Sequence, residues 1–256
     1  EVAEELALGS LDKRLPERGQ DIVATLARSF NRMAQSLETQ IGELSKLSKM
    51  QQRFVSDVSH ELRTPLTTIK LAAEMLEARS EELDEKARRS LDTLISQVAR
   101  FESLLSDLLE ISRYDAGAVV AELESNDLNT VVKIAVAGLE PLAETLGCEL
   151  RVKHPKGQVL ADLDRRRIER VLRNLISNAI EHGAGKPIEI EVGQSKSAVA
   201  VTITDFGVGM SRTQMDRVFD RFWRADPARK RTTGGTGLGL AISLEDTHVH
   251  NGWLQV

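Results

Sequence analysis

Apolar residues in the first half of the chain recur at steps of three and four, the spacing of a helix with one apolar face. The pattern predicts an unbroken helix from about Asp21 to about Ala78 and a second from Lys86 to about Tyr114, with a charged turn over 79–85. The stripe of the first helix includes Val55, Val58, Leu62, Leu66 and Ile69, and that of the second includes Leu91, Leu94, Ile95, Val98, Phe101, Leu105, Leu108 and Ile111.

A hairpin of two such helices leaves one side of each apolar stripe uncovered. Pairing two hairpins into a four-helix bundle covers those sides, so we expect a homodimer. The alternative is an intramolecular bundle that includes the helix over residues 21–40. It is the weaker hypothesis, because that segment continues directly into the first long helix.

Before residue 21, the helical pattern of apolar residues covers fewer residues than in the two long helices. Residues 1–9 are typical of the end of an amphipathic helix, and residues 9–20 form a connector rich in glycine, proline and charge. By themselves, these residues and the helix over 21–40 indicate two short coiled-coil helices.

The pattern changes to mixed α/β after a linker. Gly117 breaks the second long helix, and residues 115–127 are typical of an interdomain linker. Further helices are predicted over about 128–146 and 164–181 and from Ala241, and strands over about 148–153, 188–192 and 198–204. Alternating Val199, Val201 and Ile203 support the last strand.

Composition restricts the class of protein. Of 256 residues, 41% are hydrophobic, 29% charged and 4% aromatic, which suits one soluble domain with extended helices. A net charge of −5 argues against nucleic-acid binding, and a single cysteine, Cys148, excludes an internal disulfide and suits a reducing cytosol. No run of about 18 apolar residues is present, so no membrane span is expected. The chain begins in a helical pattern without methionine, which indicates a fragment.

His60 lies off the apolar stripe, beside Glu61. A neutral imidazole at a helix surface is a nucleophile near neutral pH, and Glu61 can accept its Nδ1 proton so that Nε2 attacks. Thr64 lies at i+4 and shares a face with His60, and Pro65 is expected to kink the helix just after it. A lone His–Glu pair is nevertheless most often an ordinary surface pair.

A polar stripe marks the predicted helix over 164–181. Arg170, Asn174, Asn178 and His182 are spaced by four. Asparagine is a poor helix former, and Mg²⁺ binds oxygen ligands while keeping several waters and substrate phosphates. This stripe therefore indicates a magnesium site or a solvated face, with equal weight.

Two glycine-containing segments follow. Asp205-Phe-Gly-Val-Gly209 comes after a strand, where a carboxylate can bind an exocyclic amine such as that of adenine and glycine permits close approach. Gly234-Gly-Thr-Gly-Leu-Gly-Leu240 leads into a helix, which is an anion site, although a glycine run alone is more often a flexible loop. The cation-rich and aromatic residues 210–233 between them are typical of a mobile lid over phosphates.

The string His60-Glu61-Leu62-Arg63-Thr64-Pro65-Leu66 resembles the phosphoacceptor box of bacterial sensor histidine kinases. Four elements of the second half resemble, in order, the N, G1, F and G2 boxes of that family's catalytic domain, a Bergerat-type ATP site. They are the polar-stripe helix over 164–181, the segment 205–209, the residues 210–233 and the segment 234–240. Ala7-Leu-Gly-Ser-Leu-Asp-Lys-Arg and Phe30-Asn-Arg-Met resemble the second half of a HAMP signal-relay module. Residues 101–117 and 221–229 are most similar to actinobacterial members.

This resemblance implies a multidomain fold. A dimeric four-helix bundle with two helices per chain would be preceded by coiled-coil or HAMP helices and followed by an α/β sandwich of the Bergerat type. The expected domains are a partial HAMP module (1–40), a dimerisation and phosphotransfer hairpin (41–115), a linker (116–127) and a catalytic ATP-binding domain (128–256). The last domain would end within a strand at Val256 and lack its closing hairpin.

The resemblance also implies roles for single residues. ATP would bind between the polar-stripe helix and the lid, where Asn178 would bind Mg²⁺, Asn174 would support the phosphates, His182 would lie against the nucleotide and Asp205 would bind the adenine amine. Other nucleotide contacts would come from Gly207, Gly209, Arg221, Arg224, Gly235, Thr236, Gly237, Leu238, Gly239 and Leu240.

The implied activity is ATP-dependent autophosphorylation of His60, with Glu61 as base, followed by transfer to an aspartate of a response regulator receiver domain. Thr64 would orient water for dephosphorylation of that partner. The chain would be the cytoplasmic portion of a membrane sensor, anchored only through segments outside it. Glu181 replaces a lysine that many members carry, which favours a nucleotide-binding signalling scaffold as the alternative. A Bergerat ATPase or serine-directed kinase would lack the hairpin and His60.

Overall fold

The computed structural model describes residues 14–16, 22–79, 83–225 and 236–256. Two long helices form its first half: α1 spans Ile22–Glu77 and α2 spans Glu85–Asp115. Asp84 caps α2, because its carboxylate accepts a hydrogen bond of 2.7 Å from the backbone N–H of Ala87. Helix α1 continues through Pro65, where the expected kink stays a prediction. Both long helices are therefore confirmed.

The chain divides into two compact units, Glu1–Val58 and Ser59–Val256. In the first unit, the Leu15 N–H donates to Asn31 Oδ1 over 2.8 Å, and Asn31 Nδ2 donates to the Leu15 carbonyl over 2.9 Å. This pair of bonds attaches the connector to α1. The predicted helix over residues 1–9 and most of the connector lie outside the described residues.

The helical hairpin (residues 59–115) opens the second unit. Lys70 of α1 and Glu102 of α2 form a salt bridge of 3.1 Å. Part of the apolar stripe is buried, namely Leu66, Ala73, Leu91, Val98 and Leu105. Other members of the stripe are between 38% and 49% exposed, namely Leu62, Ile69, Leu76, Leu94, Phe101 and Leu108. One side of the hairpin is thus uncovered, as the sequence predicts.

The α/β domain (residues 124–256) follows. Its elements are β1 Glu124–Asp127, α3 Leu128–Ala137, α4 Glu140–Thr145, β2 Leu150–Lys153, β3 Leu160–Leu163, α5 Arg165–His182, β4 Ile188–Gln194, β5 Val199–Thr204, α6 Arg212–Met215 and α7 Gly239–Val249. Strand β4 is central in a sheet of order β2-β4-β5, parallel to β2 and antiparallel to β5. Strands β1 and β3 form a separate antiparallel pair.

Helices α3 and α5 and the strands enclose one apolar core. Ile176 of α5 and Ile188 and Ile190 of β4 have 0% exposure, and Val132 of α3 belongs to the same cluster. A β-strand alternates its side chains, so Ile188, Ile190 and Val192 all point to this core from one face of β4. The expected α/β layer architecture after a helical region is confirmed.

Several local predictions in this domain are wrong. The helix expected over 128–146 is two helices, because α3 ends at Ala137 with Gly138 as its C-cap, and Glu140 begins a new one with Pro141 in its first turn. Strands β1 and β3 were not predicted, and β1 occupies the end of the expected linker. Residues 252–256 form no strand, because no strand in the described part of the chain pairs with them. None of the helices described is long and apolar enough to cross a membrane.

Candidate functional site

His60 lies on the exposed side of α1. Its neighbour Ser59 is buried at 1% exposure, whereas His60, Glu61 and Thr64 all face solvent. The side chains of these three residues make no hydrogen bond to any residue that the structure describes. Their helical positions place His60 and Thr64 on one face, one turn apart. The imidazole and the hydroxyl are therefore both open to a reactant.

Helix α5 carries the predicted polar stripe opposite the apolar core. Asp164 caps the helix by accepting a hydrogen bond of 3.2 Å from the Arg167 N–H. Asn174 Nδ2 donates to the Gly239 carbonyl over 3.1 Å and to Ser243 Oγ over 3.2 Å, which joins α5 to α7. Asn178 is half-buried, and its amide has no partner among the described residues.

The loop after β5 approaches the end of α5 very closely. A Cβ atom at Gly207 would lie 1.9 Å from the backbone oxygen of His182, so no other residue fits there. The Gly207 N–H donates to Asp205 Oδ1 over 2.9 Å, and Gly209 has a φ of +66° that favours glycine. The loop that carries Asp205 thus lies against the end of α5 at His182.

The glycine-rich segment meets α7 next to the polar stripe. Gly237 has a φ of +75°, and its carbonyl accepts a hydrogen bond of 2.8 Å from the Phe222 N–H. Leu238 is buried, and Gly239 begins α7 with a close approach to the Asn174 side chain. Leu240 follows within α7 and is partly buried, and Gly235 lies outside the described residues.

Two predicted nucleotide contacts bind the hairpin in this structure. Thr236 Oγ1 donates to Asp107 Oδ2 over 2.8 Å. The Arg221 guanidinium donates to both carboxylate oxygens of Asp115, with Nη1 2.8 Å from Oδ2. These contacts place Arg221 of the predicted lid and Thr236 of the glycine-rich segment beside α2. Arg224 is partly buried in the same lid region.

A polar cluster that the sequence did not reveal joins α2, α5 and α7. Asp246 of α7 has 0% exposure and binds Arg170 over 2.7 Å and Arg167 over 3.0 Å. Both arginines also contact Glu110 of α2, at 2.9 Å from Arg167 and 3.0 Å from Arg170. The Tyr114 hydroxyl donates to Asp246 and accepts from Arg167 over 2.7 Å.

The charges of this polar cluster compensate one another. Burial acts to raise the pKa of Glu110, but the hydrogen bonds and charges of Arg170 and Arg167 outweigh it and hold that pKa below its usual range. Burial and the Asp246 carboxylate raise the pKa of Tyr114. Arg170 belonged to the predicted stripe, yet its side chain binds Asp246 and Glu110.

The described residues offer few candidates for a metal site. In the stretches that the structure describes, no group of three or more His, Cys, Asp and Glu side chains can hold a metal ion. The partnerless, half-buried amide of Asn178 fits Mg²⁺, which needs only one or two protein oxygens when phosphates and water supply the rest. Glu181, where a lysine was expected, accepts a hydrogen bond of 3.5 Å from Ser177.

Three family models match separate stretches of the chain. The model for histidine kinase-, DNA gyrase B- and HSP90-like ATPases matches residues 163–256. The His kinase A (phosphoacceptor) domain matches residues 50–117, and the HAMP domain matches residues 1–39. The prediction of a HAMP module, a phosphoacceptor region and an ATPase region in this order is confirmed.

Curated relatives match almost the whole chain. The sensor histidine kinase MtrB of Mycobacterium tuberculosis (strain ATCC 25618 / H37Rv) is 51% identical over 254 residues, which are 99% of this chain and 45% of that protein. The histidine-protein kinase AfsQ2 of Streptomyces coelicolor is 35% identical over 261 residues, which are 98% of this chain and 47% of that protein. The chain therefore spans about half the length of these relatives. The similarity of residues 101–117 and 221–229 to actinobacterial MtrB agrees with them.

A solved structure has the same fold. Full-length ShkA, crystallised in complex with AMPPNP, superposes with a TM-score of 0.65 at 24% sequence identity, over 78% of this chain and 41% of that one. This likeness supports the helical and α/β arrangement of the described residues.

Proposed function

This chain belongs to the sensor histidine kinase family, and on that premise we propose that it moves the γ-phosphoryl group of ATP to His60 and then to an aspartate of a response regulator. First, Nε2 of His60 bonds to the γ-phosphorus, the bond from phosphorus to the bridging oxygen breaks, and ADP leaves. Then a carboxylate oxygen of the regulator attacks, and the P–N bond breaks. Positioning and charge neutralisation dominate such transfers.

The observation that carries this proposal is the exposure of His60 on the hairpin of a chain that also has the ATPase fold. An exposed imidazole can receive a phosphoryl group from a nucleotide and present it to a second protein. Glu61 would accept the Nδ1 proton and so keep Nε2 available for attack. Thr64, one turn away, would hold the water that hydrolyses the aspartyl phosphate of the regulator.

The nucleotide would bind beside the exposed side of α5. Asp205, held by its bond to Gly207, would accept a hydrogen bond from the adenine amine, and His182 would lie against the nucleotide. Asn174 and the segment Thr236–Leu240 would contact the phosphates, because glycine-rich backbone at a helix N-terminus favours anions. The carboxylate, the polar stripe and the glycine-rich segment supply the three kinds of contact that ATP needs.

Mg²⁺ is part of the same proposal. Asn178 would be its protein ligand, because its half-buried amide oxygen has no partner among the described residues. The ion would supply positive charge against the triphosphate, and its remaining ligands would be phosphate oxygens and water. Arg221 and Arg224 would add cations from the lid.

We further propose a homodimer and an MtrA-like response regulator as partners. The uncovered apolar side of the hairpin supports the dimer, because a second copy would bury it. Similarity to MtrB supports the type of regulator. The HAMP match and the sensor relatives support a place on the cytoplasmic side of a membrane sensor, anchored through other segments.

Labelling with γ-labelled ATP and Mg²⁺ tests the proposal. The wild-type protein should gain a label that acid removes and alkali does not. His60→Gln should bind ATP like the wild type and gain no label, and Asn178→Asp should alter the Mg²⁺ dependence of ATP binding. A label that persists in His60→Gln would place the acceptor elsewhere. A wild-type protein that binds ATP but gains no label would support the signalling scaffold instead.

A further inference from the structure

The turn over residues 183–187, which connects α5 to β4, has an unusual backbone. Ala184 and Gly185 lie one after the other in the left-handed region, at φ values of +55° and +73°. This conformation is uncommon for alanine. The Lys186 N–H closes the turn by donating to the Gly183 carbonyl over 3.1 Å. A strained and closed turn of this kind gives Lys186 a defined position at its end.

The side chain of Lys186 reaches from this turn to the loop that carries Asp205. Its ammonium group donates a hydrogen bond of 2.7 Å from Nζ to the Phe206 carbonyl. Two other lysines that the structure describes, Lys70 and Lys153, bind the carboxylates of glutamates instead. Lys186 therefore uses its charge on the backbone of the loop, at the residue directly after Asp205.

This hydrogen bond is linked to the Asp205 carboxylate through a single peptide group. The carbonyl of Phe206 and the N–H of Gly207 belong to the same planar unit. Lys186 binds the oxygen of that unit, and Asp205 Oδ1 accepts a hydrogen bond of 2.9 Å from its N–H. Because the unit is rigid, a rotation that breaks one of these bonds also weakens the other. The cation at the carbonyl further polarises the peptide and strengthens its N–H as a donor.

We infer that Lys186 is a positioning residue for adenine recognition: it fixes the peptide group that fixes Asp205 Oδ1, so that Oδ2 is held ready to accept the adenine amine. The inference rests on the proposed function, in which Asp205 binds that amine. Lys186 itself needs no contact with the nucleotide. A fixed carboxylate accepts a hydrogen bond from the amine of adenine and repels the oxygen that hypoxanthine carries at the same position. Lys186 should therefore affect the choice of base.

Calorimetric titration with ATP and with inosine triphosphate, each with Mg²⁺, tests the inference, because the two nucleotides differ only in the base. Lys186→Met keeps the apolar stem and removes the donor, so it should bind ATP about 3–10-fold more weakly than the wild type. Its affinity for inosine triphosphate should be unchanged. Lys186→Arg keeps a cationic donor and should bind ATP nearly as well as the wild type. Lys196→Met, an exposed change between β4 and β5, removes the same charge and is the matched control.

The pattern across the two nucleotides separates the possible outcomes. Equal losses of affinity for ATP and inosine triphosphate in Lys186→Met, or no loss for either, would overturn the positioning role of Lys186. A loss of ATP affinity in Lys196→Met as large as that in Lys186→Met would overturn it too, because net charge would then explain both. Wild-type protein that binds the two nucleotides equally well, or binds neither, would instead overturn the adenine contact of Asp205 in the proposed function.

Discussion

The helical hairpin and the α/β domain bury their apolar side chains to different extents. Ile176, Ile188 and Ile190 of the α/β domain have 0% exposure, whereas Leu62 and Phe101 of the hairpin are 38% and 44% exposed. Apolar surface stabilises a fold by about 25 cal/mol per Å² only when it is removed from water. The α/β domain obtains that stabilisation within one chain, whereas in the proposed homodimer the hairpin would obtain part of it from a second copy.

This difference separates stability from chemistry. The exposed side of the hairpin carries His60 and Thr64, whose side chains support no packing, so their replacement should change rates and leave folding intact. The core of the α/β domain has the opposite property, because its residues touch no reactant and hold the site residues in place. Substitutions at these exposed hairpin residues should therefore change reaction rates, whereas substitutions in the α/β core should change stability.

The largest effect is expected from Thr64→Ala in the hairpin. Loss of one water-positioning group costs about 10²–10⁴ in rate, so dephosphorylation of the phosphorylated regulator should slow by that factor. Labelling of His60 should stay largely intact, because it needs the imidazole, Glu61 and ATP alone. Decay of the phosphorylated receiver and His60 labelling are measured side by side. Equal decay with both proteins would make Thr64 an ordinary surface residue.

The next effect is expected from Ile176→Ala in the α/β core. Removal of a buried isoleucine side chain costs about 2–5 kcal/mol, so the free energy of unfolding should fall by that amount at every protein concentration. Val208→Ala, at a residue with 76% exposure, is the control and should cost almost nothing. Urea unfolding followed by tryptophan fluorescence measures both. A cost that changes with protein concentration would show that this core, too, depends on dimerisation.

The sequence predicts most of the fold where a pattern persists over many residues. Helices α1 and α2 are each long enough for a stripe to show both period and length. Strand β1 consists of Glu-Ser-Asn-Asp and has no apolar residue, so only its pairing with β3, Glu124 opposite Leu163, makes it a strand. The break after α3 was missed because apolar residues continue on both sides of Gly138.

The residues of the candidate site likewise differ in how well the sequence predicts them. His60, the asparagine stripe and the glycine segments are local patterns that the sequence shows directly, and the loop that carries Asp205 lies against the end of α5. The polar cluster is not local: Tyr114 and Asp246 are 132 positions apart. Periodicity cannot pair residues at that separation. Thr236 and Arg221 were assigned to the nucleotide alone, because no sequence signal relates them to α2.

An intermediate effect is expected from Phe101→Glu on the uncovered side of the hairpin. A buried phenylalanine contributes about 1.5–3 kcal/mol, so the dissociation constant of the dimer should rise by roughly 10–100-fold. Ser103→Glu adds the same charge at an exposed polar position on the other side of α2 and should leave the dimer intact. Sedimentation over a concentration series measures both. An unchanged dimer in Phe101→Glu would favour the intramolecular bundle.

The smallest effect is expected from Tyr114→Phe, at the junction of the two regions. The hydroxyl bonds to Asp246 and Arg167, while the arginines keep the buried carboxylate paired without it, so the free energy of unfolding should fall by only about 0.5–1.5 kcal/mol. Ser103→Ala, exposed on the same helix, is the control.

The pH dependence of the stability difference between the wild type and Tyr114→Phe identifies the cause of that difference. Burial and Asp246 raise the pKa of Tyr114 above its ordinary value of 10.0, so folding favours the protonated hydroxyl. The stabilisation is then fully present below that ordinary value and is lost as pH rises through the higher pKa of the folded protein. The wild type should therefore exceed Tyr114→Phe in stability at neutral pH, and the gap should close only in alkali. A gap that already closes near neutral pH would mean that the hydroxyl does not hold the hairpin to the α/β domain.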